Sequence, residues 1–151
     1  MSAQQQGFDE DGRGPGAPGA PDQDGDGTGS DVRRDRTQDI FVERRPWGRF
    51  QQFATNEPVT VKIITVEPGH RLSLQRHGHR AEMWHVLDGP VDVTVGERRW
   101  SVAAGEDVWV PGGAVHRLGN SGDRTARLLE VAFGDFDEAD IERLEDDYTR
   151  R

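Results

Sequence analysis

Short runs of apolar and alternating residues recur along the chain and predict strands. Val59–Val66 is rich in β-branched residues, and the turns that follow it along the chain include Asp88-Gly89-Pro90 and Pro111-Gly112-Gly113. The further runs are Met83–Leu87, Val91–Val95, Arg99–Val102, Asp107–Val110, Val115–Leu118 and Arg127–Phe133. Several short strands with turns at this spacing predict an all-β sandwich or barrel.

The end of the chain follows a different pattern. Residues Asp137–Tyr148 carry acids at the start and place Ile141, Leu144 and Tyr148 at helical spacing. Acidic residues in a first turn, followed by apolar residues three to four positions apart, are typical of a helix. We therefore expect a short C-terminal helix after the strands.

Composition divides the chain near residue 38. Residues 1–38 contain 8 Gly, 3 Pro and 8 acidic residues but only six apolar ones. Such a segment buries too little apolar surface to offset its chain entropy. The prediction is a disordered N-terminal tail over residues 1–38 and one folded domain, of ordinary size, over residues 39–151.

Cysteine content and charge narrow the classes of protein. The 151 residues include no cysteine, which excludes disulfides, thiolate zinc sites and cysteine nucleophiles. The formal net charge of −9 argues against nucleic acid as a partner. The sequence has no run of 18 apolar residues and no signal-peptide pattern at the N-terminus, so the predicted location is the cytoplasm.

All five histidines lie between positions 70 and 116. His77 and His79 are two apart on a predicted strand, so we expect them to share a face with Gln75. Glu82 follows shortly after, and His116 lies on a later strand. Imidazole, carboxylate and amide oxygen on neighbouring strands can hold a divalent metal, and this mixed set suits zinc, manganese, iron, cobalt or nickel.

The spacing of these residues resembles the two motifs of the cupin superfamily. Gly69, Gln75, His77, Glu82 and Gly89 fit the first motif, with Gln75 in place of its first histidine. The residues that fit the second motif are Gly105, Pro111, Gly113, His116 and Asn120. The resemblance implies a double-stranded β-helix (jelly-roll) barrel that holds one divalent metal ion through Gln75, His77, Glu82 and His116.

Longer stretches resemble one branch of that superfamily, the type II mannose-6-phosphate isomerase domain. The matching stretches are Arg45–Gly48, Glu67–Gln75, His79–Glu82 with Trp84, Pro111–Asn120 and Asp140–Tyr148. In that family the domain is usually the C-terminal part of a bifunctional mannose-1-phosphate guanylyltransferase/mannose-6-phosphate isomerase. The resemblance implies a free-standing, metal-dependent isomerase of mannose 6-phosphate and fructose 6-phosphate, in nucleotide-sugar or polysaccharide precursor metabolism.

Isomerisation of a sugar phosphate needs a base and cations beside the metal. His79 is the candidate base for the proton that moves between C1 and C2, because it is the spare titratable group on the predicted ligand face. Lys62, the only lysine of the chain, and Arg80 join it as candidate catalytic residues. Arginine binds phosphate through paired hydrogen bonds, so Arg117 and Arg143 are candidate substrate-binding residues. The other two candidates for substrate binding are Trp84 and Ser73.

Two other functions stay open from the sequence. His77, Glu82 and His116 also satisfy the two-histidine, one-carboxylate set of non-heme iron dioxygenases. The other is a non-catalytic cupin that binds a sugar phosphate or nucleotide sugar as a regulatory or partner subunit, because Gly78 and Met83 stand where the family usually has histidine. The predicted partner is a small-molecule sugar phosphate, not nucleic acid or a membrane. The resemblance to cupins also implies that the protein forms a homodimer.

Overall fold

A computed structural model describes residues 32–148, and strands form about half of that part of the chain. A 3-10 turn at Thr37–Asp39 precedes eleven strands. They are β1 (Phe41–Arg45), β2 (Gly48–Gln52), β3 (Val59–Val66), β4 (Leu74–Arg76), β5 (Arg80–Asp88), β6 (Val91–Val95), β7 (Arg98–Val102), β8 (Asp107–Val110), β9 (His116–Gly119), β10 (Ala126–Gly134) and β11 (Glu142–Glu145). The all-β prediction is confirmed, whereas the predicted disorder of residues 1–31 lies outside the described residues.

Two antiparallel sheets share one apolar core. One has four strands in the order β3-β10-β5-β8, the other has five in the order β11-β4-β9-β6-β7, and β1 and β2 form a separate hairpin. Side chains alternate between the two faces of a strand, so Val91 and Val93 are buried while Asp92 is only half-buried. The core residues from both sheets include Val66, Trp84, Val86, Val93, Val108, Val110, Leu118 and Leu128. This is the predicted jelly roll.

A second apolar cluster covers the outer face of the four-stranded sheet. Met83, Val131 and Phe133 are buried there, and the partly buried residues packed against them include Ile40 and Phe53 from the N-terminal part of the domain. The sheet is therefore buried on both faces over this part. Burial on both faces explains why the burial of β5 and β10 shows little alternation along either strand.

The predicted C-terminal helix is wrong. Glu142–Glu145 forms β11, which pairs with β4, and Arg76 binds Glu142 at 2.7 Å across the pair. Leu144 and Tyr148, the apolar residues at helical spacing, are 47% and 43% exposed, so no buried apolar face favours a helix over the strand pairing. No helix within residues 32–148 is long and apolar enough to span a membrane. We call residues 135–141, between β10 and β11, the β10–β11 loop.

Residues 32–38, which composition assigns to the tail, pack against the domain. Val32 is 6% exposed, and a Cβ at Gly112 would lie only 2.6 Å from its Cγ1. Arg36 is fully buried, forms an ion pair with Glu57 at 2.5 Å and lies over the ring of Phe133. An apolar anchor and a paired arginine hold this stretch in place, although its composition is that of a tail.

Candidate metal centre

His77, Glu82 and His116 come together inside the jelly roll. One ligand atom from each lies within 4.8 Å of the others, and all three residues are buried. Nε2 of His77 is 3.3 Å from Oε1 of Glu82, and Nε2 of His116 is 3.7 Å from Oε2 of the same carboxylate. Three of the residues that the sequence predicts as metal ligands thus lie together in the structure.

The two sheets supply different members of this group. Glu82 belongs to β5 of the four-stranded sheet, whereas Gln75 on β4 and His116 on β9 lie opposite each other in the five-stranded sheet. His77 follows the last residue of β4, where the chain bends. The bend separates His77 from His79: their side chains are 2% and 70% exposed. The expectation that the two histidines share a face is therefore wrong.

Backbone carbonyl groups fix the orientation of both imidazole rings. Nδ1 of His77 donates to the carbonyl of Asp140 at 2.6 Å, and Nδ1 of His116 donates to the carbonyl of Ala114 at 2.9 Å. Each ring then presents the lone pair of Nε2 to the group, as metal-binding histidines do. Burial lowers the pKa of His116, which favours the neutral ligand form.

One nitrogen of the group lacks a partner. Nε2 of His116 is buried and has no hydrogen bond to any residue of the described part of the chain. A buried polar atom without a partner is rare in folded proteins, and an imidazole lone pair aimed at a carboxylate suits a cation. Two imidazoles and a carboxylate are ligands that suit divalent transition metals. The residues present therefore fit the metal that the sequence implies.

Glu82 is held in its ionised form. Arg80 Nε donates to Oε1 at 2.9 Å, and Trp84 Nε1 donates to Oε2 at 3.0 Å. Burial raises the pKa of this carboxyl, but the polar and charged groups around it, which include the guanidinium of Arg80, outweigh burial and lower the pKa of Glu82 to about 2. The carboxylate is thus available as an anionic ligand across the neutral pH range.

Gln75 lies beside the group, and Ser73 orients it. Oγ of Ser73 donates to Oε1 of Gln75 at 2.7 Å, and Nε2 of Gln75 is 3.4 Å from Nε2 of His77. Rotation of the amide by a half-turn exchanges these atoms: Oε1 then faces the ligand group, while Nε2 donates to the serine. In that orientation Gln75 would offer an oxygen atom to an ion held by the group.

Arg80 contacts the ligand group directly. Its Nη2 lies 3.1 Å from Nε2 of His77, and its Nη1 donates to the carbonyl of Asp137 in the β10–β11 loop. Trp84 is 2% exposed and packs edge-on against His116. Trp84 and Ser73, for which the sequence predicts substrate binding, are both buried, and they donate hydrogen bonds to Glu82 and Gln75.

The remaining candidates are scattered around the centre. His79 contacts Asp140 at 3.5 Å on the surface. Arg117 follows the inward-facing His116 on β9, so it points to the opposite face, where it binds Glu145 at 3.1 Å. Arg143 lies opposite Gln75 on the same face of the sheet and is 3.8 Å from Asp146. The structure brings Arg80 into the group, places Arg143 next to it in register, and leaves His79 and Arg117 outside.

Glu130 is a residue of this interior that sequence reasoning missed. It lies on β10 between Lys62 of β3 and Trp84 of β5 in one cross-strand row, and it is 5% exposed. Burial, followed by the charge of Glu82, raises the pKa of Glu130 to about 7. A lone acid within the apolar run Arg127–Phe133 was the signal for it.

A cavity of about 630 Å³ opens beside the centre, lined by residues that include His77, Gly78, Gly113 and Asp140. This volume is in the range of sites that bind small molecules. Backbone groups of the two motif loops form part of its wall. The ligand group thus has a space the size of a small molecule beside His77.

A jelly roll that gathers a carboxylate and two histidines between its sheets defines the class: this is a cupin with a candidate metal centre. The family model of the mannose-6-phosphate isomerase C-terminal domain matches residues 33–146, and the chain belongs to that family. The match covers the whole of the two sheets and of the ligand group.

The similar proteins include three biosynthetic proteins of bacteria. The chain is 42% identical over 118 residues to the alginate biosynthesis protein AlgA of Pseudomonas aeruginosa, covering 78% of this chain and 24% of AlgA. It is 43% identical over 107 residues to the xanthan biosynthesis protein XanB of Xanthomonas campestris (70% and 23%). It is 43% identical over 105 residues to mannose-1-phosphate guanylyltransferase 2 of Escherichia coli (69% and 22%). The chain thus spans about a quarter of the length of these relatives.

Solved structures agree on the fold. The capsular polysaccharide assembling protein CapF of Staphylococcus aureus aligns with a TM-score of 0.54 and 21% identity, over 70% of this chain and 34% of CapF. A conserved protein with a double-stranded β-helix domain from Klebsiella pneumoniae aligns with a TM-score of 0.52 and 23% identity, over 62% and 79%. At these identities the likeness supports the double-stranded β-helix fold alone.

Proposed function

We propose that the protein is a metal-dependent sugar-phosphate isomerase that interconverts mannose 6-phosphate and fructose 6-phosphate. The observation that carries the proposal is the convergence of His77 Nε2 and His116 Nε2 on the carboxylate of Glu82, with Nε2 of His116 unpartnered among the described residues. Membership of the mannose-6-phosphate isomerase C-terminal family supplies the substrate class.

Gln75, His77, Glu82 and His116 are the proposed metal ligands. A divalent ion in this position polarises the carbonyl of an open-chain sugar and stabilises negative charge that develops on its oxygen. Arg80 and Trp84 keep Glu82 in place through their hydrogen bonds. Asp140 and Ala114 keep the two imidazoles in the tautomer that binds a metal. The chain therefore contributes a rigid frame as well as the ligands.

Glu130 is the proposed proton carrier between C1 and C2. It faces the interior in the cross-strand row next to that of Glu82, and its raised pKa of about 7 lets it accept and return a proton near neutral pH. Two carboxylates whose pKa values are pushed apart by their surroundings commonly divide the roles of acid–base group and charged group. His79 is less suited to this role, because its side chain is 70% exposed.

The relatives suggest the setting of the reaction. AlgA and XanB are named for alginate and xanthan biosynthesis, and a third relative is named as a mannose-1-phosphate guanylyltransferase. We infer that the product serves the synthesis of a nucleotide sugar or polysaccharide. A cytoplasmic location, a small-molecule partner and a homodimer belong to the same proposal.

A second candidate function is oxygen chemistry on iron. Within the described chain, His77, Glu82 and His116 are the residues grouped closely enough to hold a metal through histidine and carboxylate atoms, and such a set of three suits ferrous iron. The neighbouring amide of Gln75 favours the isomerase instead, because it completes a four-ligand set. A non-catalytic sugar-phosphate-binding cupin is the third outcome that an assay has to separate.

The deciding experiment loads the purified protein in turn with zinc, manganese, cobalt, nickel and ferrous iron. Each form is incubated with fructose 6-phosphate while NMR follows mannose 6-phosphate and an electrode follows oxygen. Formation of mannose 6-phosphate without oxygen uptake is the expected result. Oxygen uptake with iron alone supports the dioxygenase, and absence of turnover with every metal, despite binding of fructose 6-phosphate, supports the non-catalytic cupin.

A further inference from the structure

Lys62 places a cation at the boundary between the interior and the surface. It shares a cross-strand row with Glu130 and Trp84, so it starts from the inward face of β3. Its side chain is 35% exposed, and its ammonium group pairs with the carboxylate of Glu138 in the β10–β11 loop. The same ammonium lies 4.1 Å from the ring centroid of Phe136.

Phe136 connects this cation to the metal centre. The guanidinium of Arg80 lies 4.3 Å from the centroid of the same ring, so Lys62 and Arg80 are no more than about 8 Å apart. Arg80 in turn contacts Glu82 and His77. A sugar phosphate carries its phosphate several carbons away from its carbonyl. A carbonyl at the ligand group would therefore place the phosphate outside that group, and Lys62 supplies a cation nearby.

Glu138 is a partner that can be exchanged. Its side chain is 75% exposed, and the hydrogen bond from Lys62 lowers its pKa, so it meets the lysine as an anion. Exposed ion pairs contribute little net stability, because water solvates both charges when they separate. A phosphate dianion carries more charge than a carboxylate and offers more acceptor oxygens to the ammonium group.

We propose that Lys62 binds the phosphate group of a sugar phosphate and that Glu138 occupies this cation until the phosphate displaces it. The identity of the ligand as a sugar phosphate rests on the proposed function, whereas the exchange of one anion for another rests on the contacts of Lys62. Displacement frees Glu138 and with it one contact of the β10–β11 loop.

The single lysine of the chain makes the test direct. Reductive methylation with ¹³C-formaldehyde labels Lys62 and the N-terminal amine and preserves the positive charge of the lysine. Inorganic phosphate, fructose 6-phosphate and fructose are titrated into the labelled, metal-free protein. The expected result is a saturable shift of the Lys62 resonance with both phosphate compounds and none with fructose. A shift of the N-terminal resonance alone would contradict the proposal.

Variants of two acidic residues distinguish competition between Glu138 and phosphate for Lys62 from a general effect of the protein's net charge on phosphate binding. Glu138→Gln removes the carboxylate that pairs with Lys62, and phosphate binding should tighten by about three- to fivefold. Glu142→Gln is the control, because it removes another exposed charge, one that pairs with Arg76 instead. If the two substitutions had equal effects on phosphate binding, or if Glu138→Gln had none, the proposal that phosphate displaces Glu138 from Lys62 would be wrong.

Variants of Lys62 complete the test by calorimetry with fructose 6-phosphate. Lys62→Gln should lose most of the binding, while Lys62→Arg, which keeps a cation and controls for folding, should retain it. Parallel isomerase assays distinguish the two proposals. Binding that depends on Lys62 but is not followed by turnover would support this phosphate subsite and contradict the isomerase proposal. Turnover with an unchanged KM in Lys62→Gln would support the isomerase proposal and contradict the subsite.

Discussion

In the candidate metal centre the side chains of Glu82, His77 and His116 are at most 2% exposed, whereas the side chains of the neighbouring pair Lys62–Glu138 are 35% and 75% exposed. Hydrogen bonds fix each charged or polar group of the centre, since burial of an unpartnered charge is costly. The exposed pair needs no such frame, because water can replace either partner.

The comparison separates buried contacts, which have no replacement partner, from exposed contacts, in which water or another ion can replace either partner. Removal of one member of a buried, hydrogen-bonded set leaves the others unpaired and costs much more than removal of an exposed partner. Substitutions in the centre should therefore produce large effects on metal affinity and stability, and those in the β10–β11 loop and β11 small ones. The following predictions test that ranking, in order of expected effect.

Loss of a ligand should produce the largest effect. His116→Ala removes the ring whose Nε2 has no other partner among the described residues, and metal affinity should fall by more than about 100-fold. Metal content after dialysis, measured by mass spectrometry, checks this. His79→Ala is the matched control, because that side chain is 70% exposed and should leave metal content unchanged. Undiminished metal in His116→Ala would show that the ligand set is wrong.

Glu130 should give the metal-free protein an unusual dependence on pH. Its pKa is about 7 in the folded protein against 4.5 ordinarily, so between these values the folded state holds a proton that the unfolded state has lost. The free energy of unfolding should therefore decrease, by up to about 3 kcal/mol, as the pH rises from about 4.5 to about 7. Glu82, with its pKa lowered to about 2, contributes stability that is lost only below about pH 4.5.

Urea denaturation of chelator-treated protein across this pH range provides the measurement. Glu130→Gln should flatten the decrease, because the amide stays neutral at every pH. A slope that persists in Glu130→Gln would assign the effect to another group.

The indole of Trp84 should matter to metal binding through one hydrogen bond. Trp84→Phe keeps an aromatic ring in the core but removes the donor to Oε2 of Glu82, and metal affinity should fall by about tenfold. Calorimetric titration with zinc measures it. Trp109→Phe, in the cluster on the outer face of the sheet, removes an indole that does not contact Glu82 and is the control. A similar loss in both variants would indicate a general packing effect.

The smallest effect is expected at the exposed edge. Glu142→Gln removes the ion pair with Arg76, whose partners are 49% and 55% exposed, and the free energy of unfolding should change by less than about 1 kcal/mol. Denaturation in low and high salt checks this, since an exposed pair is screened. If the free energy of unfolding fell by more than about 2 kcal/mol, this exposed ion pair would matter as much as a buried contact, and the comparison would fail.

Much of the fold could be predicted because alternation and turns are local signals. The predicted strand Val59–Val66 agrees with β3 to the residue, and Val91–Val95 agrees with β6. The meeting of His77, Glu82 and His116 could also be predicted, because their spacing matches that of a known motif. Pairing between distant strands could not: β11 forms a strand through β4, although its apolar residues have helical spacing.

The directions of individual side chains were the weaker part of the prediction. The alternation rule holds only while the strand continues, and β4 ends at Arg76, so His77 turns inward and His79 outward. Arg117 follows His116 by one residue on β9, and that single step places it on the opposite face. Glu130 needed knowledge of its neighbours on two other strands, which no local pattern supplies.

Strand β3 carries a consequence for handling the protein. It forms one edge of the four-stranded sheet, and its outward residues Val61 and Ile63 are 55% and 57% exposed. Natural sheets protect such edges with charge, proline or bulges, but Lys62, the one charged residue of β3, starts from the inward face. Self-association of concentrated protein should therefore begin along β3, and an outward lysine at position 61 or 63 should suppress aggregation without touching the metal centre.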